Sequence, residues 1–305
     1  MTISVFNETV AAVYDDTRYL DPKAASSAIG DVLSRSVGDS AICRILDAGC
    51  GTGRLVRPVL DALRDFRCGR GREYIGIDQS ESMLDYARDA LGGVAAFWQS
   101  DIADFCSAHR QCYDLVVLHW VLHCCDGWMS TLGSALESIR ARGCLLWLEE
   151  TGDLYDAIDC AWAPDEDSSN APLRQLFDAY WRSVHEVQRR HGLPLTDPTA
   201  RIGPPVRAAA ELLEARLQES GYELFASEEH RWSRYVPLRW LKEVVIGNRA
   251  FSNMRMMPDW IHAIAVTRCA DFGAAFDDEC SIRLKYTVRA KAARRAPARR
   301  QGHVA

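Results

Sequence analysis

The sequence predicts an α/β fold in which short buried strands alternate with helices around a mostly parallel sheet. Five short apolar runs between residues 42 and 148 are separated by segments with helical periodicity. The first run ends in a glycine-rich turn, Gly49–Gly53, and a predicted helix follows it directly. Strands that alternate with helices in this way form parallel sheets with right-handed crossovers.

The predicted elements of the first half follow a regular order. The strands cover Ile42–Ala48, Tyr74–Ile77, Ala95–Trp98, Tyr113–Leu118 and Cys144–Leu148. The helices cover Asn7–Tyr14, Asp21–Arg35, Arg54–Phe66 and Ser82–Leu91. The pair Asp21-Pro22 is a typical helix start. We therefore expect residues 1–40 to form a helical lead-in and the sheet to begin after it.

The second half departs from this alternation. Residues 152–205 lack it, and we interpret them as an insertion that caps the sheet and carries a helix at Leu173–Arg190. The fold resumes with predicted elements at Val206–Ser220, Tyr222–Glu228, Trp240–Ile246 and Pro258–Val266. In Ile282–Val288 apolar and polar residues alternate, which predicts an antiparallel edge strand. We expect one domain over residues 41–290 and a basic, disordered tail over residues 291–305.

Composition excludes several classes of protein. The chain has 305 residues, 48% apolar and 26% charged, as in ordinary globular proteins. It lacks both an apolar run of ~20 residues and a signal-like start, so we expect a cytoplasmic protein without a membrane partner. The 11 cysteines form no C-x-x-C pair, which predicts no metal site. Oligomeric state is open, with a homodimer as one alternative.

Charge is distributed unevenly along the chain. Residues 281–305 hold eight of the 36 basic residues and no acid, which leaves 28 basic against 42 acidic residues elsewhere. Nucleic-acid binding requires a basic face. Nucleic acid is therefore not an expected partner of the main body.

The glycine-rich turn carries the strongest functional signal. Asp47 and the three glycines of Gly49–Gly53 form a D-x-G-x-G-x-G pattern at the end of a buried strand. Glycine is needed there because the backbone turns sharply and approaches a ligand closely. The dinucleotide fingerprint G-x-G-x-x-G requires a glycine at position 54, where this chain has Arg54. The pattern therefore argues against an NAD-linked reductase.

Further motifs follow in order along residues 46–150. They are Gly76–Ser80 after the second strand, Ser82–Leu84, Ser100–Ile102 after the third, and Tyr113–Val117 running into Leu118 and His119. Together with the glycine turn, they resemble the motifs of class I S-adenosylmethionine-dependent methyltransferases. The resemblance implies a Rossmann-like seven-stranded sheet with an antiparallel last strand, a helical substrate cap, and S-adenosylmethionine as cofactor.

The resemblance also implies a set of cofactor contacts. Asp78 would accept hydrogen bonds from the ribose hydroxyls, and Met83 and Asp101 would lie near the adenine. The segment Tyr14-Asp15-Asp16-Thr17-Arg18 resembles the Y-D-x-x-R lead-in of these enzymes, which implies that Tyr14 lies near the methyl group and Arg18 near the methionine carboxylate. The remaining implied contacts are Asp47, Gly49, Cys50, Gly51, Gly53, Gln79, Ile102, Leu118 and His119.

Methyl transfer requires an aligned acceptor and, where the acceptor carries a proton, a base. His119 is the first polar side chain beyond the fourth strand, where ligands of open α/β sheets bind. His123 follows one predicted helical turn later, on the same helix face. We take His119, His123 and Tyr14 as candidate catalytic residues; a structural role is the alternative for a histidine at either position.

The C-terminal part of the sequence bears on the methyl acceptor. The C-terminal part resembles the trans-aconitate-methyltransferase-like branch, which implies an enclosed cap over the acceptor. Trp120, Glu150, Trp181 and Arg249 are candidate substrate contacts. The aromatic cap favours a small-molecule acceptor, methylated on oxygen rather than nitrogen. An RNA or protein methyltransferase and a non-catalytic cofactor-binding regulator are the alternatives.

Overall fold

The predicted fold class is confirmed. The computed structural model describes residues 8–38, 40–68, 71–125, 127–154, 171–197, 206–250, 254, 257–272 and 278–296. Within these ranges a single sheet has eight strands: β1 Arg44–Ala48, β2 Glu73–Asp78, β3 Ala96–Gln99, β4 Tyr113–Val117, β5 Ile139–Gly152, β6 Tyr222–Ala226, β7 His230–Pro237 and β8 Ser281–Arg295. β1 to β5 are parallel, in the order β3-β2-β1-β4-β5.

Helices cover both faces of the sheet. They are α1 Glu8–Thr17, α2 Pro22–Val37, α3 Val56–Ala62, α4 Glu81–Leu91, α5 Ile102–Ala108, α6 Trp128–Ser138, α7 Ala171–Arg190, α8 Val206–Glu219 and α9 Asp259–Phe272. Apolar side chains of α2, α3 and α4 pack on one face of the sheet. Those of α5, α6 and α8 pack on the other face. The two lead-in helices form as predicted, and Asp21 caps α2 by accepting from the backbone N–H of Ala24 at 2.7 Å.

The cap has a hydrophobic core of its own. Residues of α7, α9 and the π-helix Leu241–Gly247 pack together against the first half of β8. The predicted helix at Leu173–Arg190 is confirmed as α7. Residues 155–170 and 198–205 of the expected insertion lie outside the described residues.

β8 is antiparallel, as predicted, but its predicted place at the edge is wrong. It pairs with β5 on one side and with β6 and β7 on the other. Alternation of apolar and polar residues reports that one face of a strand is exposed, but it does not report whether the strand has neighbours on both sides. β7 was not predicted because its inward positions include His230 and Arg234, so its sequence lacks a clear apolar alternation.

The predicted tail begins too early. β8 continues through Arg295, so residues 291–295 belong to the sheet. Ala290, Ala292 and Ala293 are buried where β8 passes between β5 and β6. Lys291 pairs with Glu149 at 2.7 Å and with Glu214. Small and basic residues were interpreted as disorder, whereas here they fit a narrow site between strands; residues 297–305 lie outside the described residues.

The expected helix after β4 is also wrong. Leu122–Cys124 form one 3₁₀ turn, and α6 begins only at Trp128. Trp120 has φ +55°, a left-handed backbone that an α-helix does not tolerate. His119 and His123 therefore do not share a helix face. None of the helices in the described ranges is long and apolar enough to cross a membrane.

Candidate functional site

The polar candidates gather at the carboxyl ends of four parallel strands. In the strand register, Asp47 of β1 lies opposite Gly76 of β2 and Val117 of β4. Side chains alternate between the two faces of a strand, so Asp78 and His119, two residues further on, follow on the same face as Asp47. Glu150 reaches this edge from β5, and its carboxylate contacts the His119 ring. This edge is where open α/β sheets bind ligands.

The glycine turn is fixed to the end of β2. Gly49, Gly51 and Gly53 have φ values of 81°, 55° and 76°. The Asp78 carboxylate accepts hydrogen bonds from the backbone N–H groups of Gly51 and Ser80, both at 2.9 Å. Burial raises the pKa of Asp78, and these hydrogen bonds oppose the rise. Each carboxylate oxygen has a further lone pair, so Asp78 retains capacity to accept from a ligand.

The three glycines have different surroundings. A Cβ on Gly49 would lie 2.3 Å from Val121, and one on Gly53 would lie 2.8 Å from Leu91. A Cβ on Gly51 would meet only the Tyr14 ring, at 3.9 Å. Gly49 and Gly53 therefore permit close packing, whereas Gly51 borders open space. Cys50, between them, is buried.

Two carboxylates of this edge have contrasting surroundings. Burial raises the pKa of Asp47 to about 7, although it accepts a hydrogen bond from the Tyr74 hydroxyl at 2.8 Å. Asp101 caps α5 by accepting from the N–H groups of Ala103 and Asp104, at 2.7 and 3.1 Å. Its second oxygen accepts from the side-chain amide of Gln79 at 2.5 Å. Asp101 and Gln79 therefore form a polar rim beside β3.

The apolar residues predicted on the cofactor side are largely buried in the protein. Met83 packs with Val10, Ala11 and Tyr14 beneath α1. Ile102 and Leu118 belong to the core between the sheet and the helices α5, α6 and α8. Ile102 and Leu118 are therefore packing residues, whose backbones border the site.

Helix α1 lies between the glycine turn and the cap. Thr52 of the turn donates a hydrogen bond to the Asp15 carboxylate. Asp16 accepts from Arg234 and from the indole N–H of Trp240, the latter at 2.5 Å. Tyr14 faces the turn, and burial raises the pKa of its hydroxyl, which stays protonated at neutral pH. These contacts hold α1 across the edge of the sheet.

Arg18 lies at the end of this helix. Its guanidinium carbon is 4.6 Å from the centre of the Tyr14 ring, and its Nη2 donates to the Ala250 carbonyl at 2.7 Å. The side chain is buried between α1 and the cap. The structure thus places Tyr14 beside the glycine turn and Arg18 beside Tyr14.

A buried ionic cluster occupies the other end of the edge. Arg54 Nη2 lies 2.7 Å from Glu150 Oε1 and 2.6 Å from His119 Nε2, and Glu150 Oε1 lies 2.7 Å from the same histidine nitrogen. The side chains of His119 and Glu150 are only 4% and 1% exposed. Burial, reinforced by the Arg54 charge, lowers the pKa of His119, so its imidazole is neutral at pH 7.

The predicted substrate contacts divide into two groups. Glu150 belongs to the ionic cluster, and the Trp120 ring lies 5.8 Å from the Arg54 guanidinium carbon. The ring of His123 meets Trp120 edge-on at 6.2 Å between centroids. Trp181 is buried in the cap core, and Arg249 pairs with the exposed Asp259 at 2.7 Å. The contacts of this second group lie within the cap.

Sequence reasoning missed Arg54 as a site residue. It was used only to argue against an NAD fingerprint, yet it lies at the centre of the ionic cluster. A charged residue directly after a glycine turn, at the start of a helix that packs on the sheet, is the signal that could have found it. In the described part of the chain, no group of three or more His, Cys, Asp or Glu side chains is arranged to hold a metal.

Comparisons with known proteins agree with this geometry. Residues 46–145 match the family model of a methyltransferase domain. A solved structure of a candidate type II methyltransferase from Anaeromyxobacter dehalogenans shares the fold, with a TM-score of 0.54 and 14% identity, covering 90% of this chain and 96% of that one. Residues 46–145 are thus a methyltransferase domain with the class I, Rossmann-like fold, and the cofactor of this class of enzyme is S-adenosylmethionine.

Two curated relatives match over a shorter stretch. A squalestatin tetraketide synthase of Cochliobolus lunatus is 30% identical over 119 residues, which are 37% of this chain and 5% of that protein. A squalestatin tetraketide synthase of Phoma sp. (strain C2932) is 32% identical over 119 residues, with the same coverage of each. The chain therefore spans about one twentieth of the length of these relatives.

Proposed function

We propose that this protein transfers a methyl group from S-adenosylmethionine to a small-molecule acceptor, with an oxygen acceptor favoured over nitrogen. The observation that carries the proposal is the arrangement of the sheet edge. An open glycine turn fixed to Asp78 lies at one end, and a buried histidine with a neutral ring lies at the other. Tyr14 of α1 faces the turn.

The residues of this edge fit the proposed cofactor. The open space at Gly51 allows a ligand to approach the backbone closely. Asp78 has lone pairs for two ribose hydroxyls, and Asp101 and Gln79 offer polar groups next to it. Arg18 lies beside Tyr14, where a cation favours the carboxylate of the methionine moiety. These residues would hold the cofactor.

The chemistry then requires little from the protein beyond alignment. Bound S-adenosylmethionine supplies a methyl group that its positive sulfur has already activated. The edge of the sheet and the cap align the acceptor behind that methyl group, which is the main contribution to an in-line displacement. The Tyr14 hydroxyl is protonated at neutral pH, so it is able to donate a hydrogen bond at the same place.

His119 is the proposed base for a hydroxyl acceptor. Its Nε2 lies 2.7 Å from Glu150 Oε1 and 2.6 Å from Arg54 Nη2, its buried Nδ1 makes no side-chain hydrogen bond among the described residues, and the ring also interacts with the backbone of Leu148. A neutral ring keeps one nitrogen lone pair, and this lone pair takes the acceptor's proton. A carboxylate acceptor carries no proton at neutral pH, and for it His119 positions the acceptor instead.

Two further observations bear on the identity of the acceptor. The aromatic residues Trp120 and Trp232 near the edge favour an organic molecule over a polymer. The partial likeness to tetraketide synthases supports an acceptor from biosynthetic metabolism. The trans-aconitate-like branch, the cytoplasmic location and the homodimer stay predictions from the sequence.

Calorimetry with S-adenosylmethionine, S-adenosylhomocysteine and NAD tests the cofactor assignment. We expect both sulfur ligands to bind and NAD not to bind. Transfer of radiolabelled methyl groups to a panel of hydroxyl, carboxylate and amine compounds, with RNA and protein as further arms, then tests the acceptor. Failure to bind S-adenosylhomocysteine would overturn the proposal. Binding with transfer only to RNA or protein would replace the small-molecule acceptor, and binding without any transfer would favour a regulator.

A further inference from the structure

Arg54 joins three separate elements at the sheet edge. Its Nη1 donates to the backbone carbonyl of Arg18, at the carboxyl end of α1. Its Nη2 lies against Glu150 at the end of β5 and His119 after β4. Arg54 itself precedes α3, directly after the glycine turn. One side chain therefore links the covering helix to both members of the histidine–carboxylate pair.

The planar fork of arginine suits this arrangement. Nη1 and Nη2 diverge in one rigid plane, so one group can bind a carbonyl while the other binds a carboxylate. Lysine carries a single ammonium group on a flexible stem, so its N–H bonds diverge from one atom and cannot reproduce the separation of Nη1 and Nη2. Arg54, His119 and Glu150 are far apart in the sequence, so only the folded chain brings the guanidinium and its partners together.

Burial makes the pairing essential. The side chains of Arg54 and Glu150 are 10% and 1% exposed. Burial alone would raise the pKa of Glu150, but the Arg54 charge and the His119 hydrogen bond hold it below its ordinary value, so the carboxylate is ionised. Removing one partner of such a pair leaves an uncompensated buried charge. Arg54 therefore determines the charge state of its neighbours as well as their geometry.

We infer that Arg54 is a positioning residue for the proposed methyl transfer: it holds the His119–Glu150 pair in a reactive arrangement that depends on α1 being docked. The inference rests on the proposed function. Arg54 acts through His119, since its guanidinium is occupied by Arg18, Glu150 and His119. The docked end of α1 fixes the Arg18 carbonyl, and through Arg54 it fixes the ring of His119.

Other ionisable groups also face this cluster. Asp47 of β1 lies close enough for the Arg54 charge to oppose the rise in the pKa of Asp47 that burial causes. Tyr14 and Arg18 approach the cluster from α1. Tyr286 of β8 faces Glu150. Burial raises the pKa of Tyr286 well above neutral, so it does not titrate between pH 5 and 8. Asp47 does titrate in this range, so a test on the full-length protein must follow His119 itself.

Nuclear magnetic resonance of ¹⁵N-labelled histidine follows His119 directly, without substrate. In the wild-type protein we expect the His119 ring to titrate below pH 6.5, the ordinary value for histidine. In Arg54→Met, the opposing charge is gone while Glu150 remains, and we expect the midpoint to rise by about one pH unit or more. Arg57→Met, which removes an exposed arginine at the start of α3, should leave the midpoint unchanged.

Kinetics provide the second readout. We expect Arg54→Met to lower kcat roughly 100-fold, which is within the range of a displaced base, with affinity for S-adenosylhomocysteine changed less than about 3-fold. Arg54→Lys keeps the charge but loses the fork, so it should restore most of the wild-type titration midpoint and little of kcat. If Arg54 had only a structural role, Arg54→Lys would restore the titration midpoint and kcat to the same extent.

Several outcomes would overturn the inference. These are an unchanged His119 midpoint in a folded Arg54→Met protein, wild-type kcat in that variant, or full rescue of kcat by Arg54→Lys. If Arg54→Met does not fold, Arg54→Met combined with Glu150→Gln removes both buried charges and should recover the fold, with kcat still low; recovered kcat would overturn the inference. Failure of the proposed function itself would appear separately, as wild-type protein that does not bind S-adenosylhomocysteine.

Discussion

Two carboxylates at the same sheet edge are held in opposite ways. Asp78 accepts from the backbone N–H groups of Gly51 and Ser80, which lie in the loops next to β1 and β2. Glu150 is held by the side chains of Arg54 and His119, which come from other elements. One end of the edge is therefore organised by the backbone, and the other by side chains that meet only in the folded protein.

This difference determines which functional residues can be identified from a sequence. A backbone-held carboxylate needs glycines at fixed spacing and a strand end nearby, and both are visible along the chain. A carboxylate held by side chains needs partners whose spacing in sequence is arbitrary. The two ends should also fail differently when changed: the Asp78 end through ligand affinity and the Glu150 end through turnover.

Gly51→Val should have the largest effect and should strike the backbone-held end alone. A branched side chain at φ +55° is strained and fills the space beneath Tyr14. We expect binding of S-adenosylhomocysteine, measured by calorimetry, to be abolished with the circular dichroism spectrum retained. Gly93→Val, in an open surface turn, is the matched control. Normal binding by Gly51→Val would remove the turn from the ligand site.

His119→Ala should do the reverse. Loss of a positioned base lowers kcat by roughly 10²–10⁴-fold, while affinity for S-adenosylhomocysteine should change little. Because burial lowers the pKa of His119, wild-type kcat should persist at pH 6.5 and decline only at lower pH. His191→Ala, at the exposed end of α7, controls for loss of a histidine.

The chemical class of the acceptor determines whether His119→Ala changes kcat alone or both kcat and the KM of the acceptor. For a carboxylate acceptor, kcat should fall less, and the KM of the acceptor should rise. A His119→Ala enzyme with wild-type kcat and wild-type acceptor KM would contradict both versions and would leave the side-chain end of the edge without a catalytic role.

Asp47→Asn should change the pH dependence of the free energy of unfolding, because Asp47 is buried between the two ends of the edge. Its pKa is about 7 in the folded protein, above the ordinary 3.8, so between these values the folded state binds more protons than the unfolded state. The wild-type free energy of unfolding should therefore fall as pH rises from 4 to 7. This loss, at most about 4 kcal/mol, should be absent from Asp47→Asn.

Urea unfolding at pH 4, 5.5 and 8 measures this difference. Asp85→Asn, an exposed carboxylate on α4, is the control and should follow the wild-type curve. If wild type and Asp47→Asn keep a constant difference in unfolding free energy across this range, Asp47 does not carry the predicted pH dependence.

Asp78→Ala should have the smallest effect of the series. Loss of hydrogen bonds to a charged carboxylate should weaken S-adenosylhomocysteine binding by roughly 1.5–3 kcal/mol, with kcat at saturating cofactor largely kept. Asp89→Ala, exposed on α4, is the control. Unchanged affinity in a folded Asp78→Ala protein would mean that this carboxylate only fixes the glycine turn.

The same contrast explains how far the sequence could predict the structure. Strands β1 to β5 and helices α1, α2, α4 and α7 were predicted because apolar periodicity and local start signals specify them. The central place of β8 was not predicted, since pairing on both sides depends on β5, β6 and β7. The left-handed backbone conformation of Trp120, which rules out the expected helix, could not be predicted, because tryptophan rarely adopts that conformation.

The position of β8 has a consequence for how the chain folds. β5 ends at Gly152 and its partner begins at Ser281, so the outer edge of β5 has no neighbour until that later segment arrives. β6 and β7 hydrogen-bond to β8 and to no other described strand, so the whole antiparallel half of the sheet awaits one segment. Pairings between such distant segments are slow to form, and an open strand edge invites association with other chains in the meantime. Conditions that delay the docking of Ser281–Arg295 should therefore promote aggregation before they unfold the methyltransferase domain, residues 46–145.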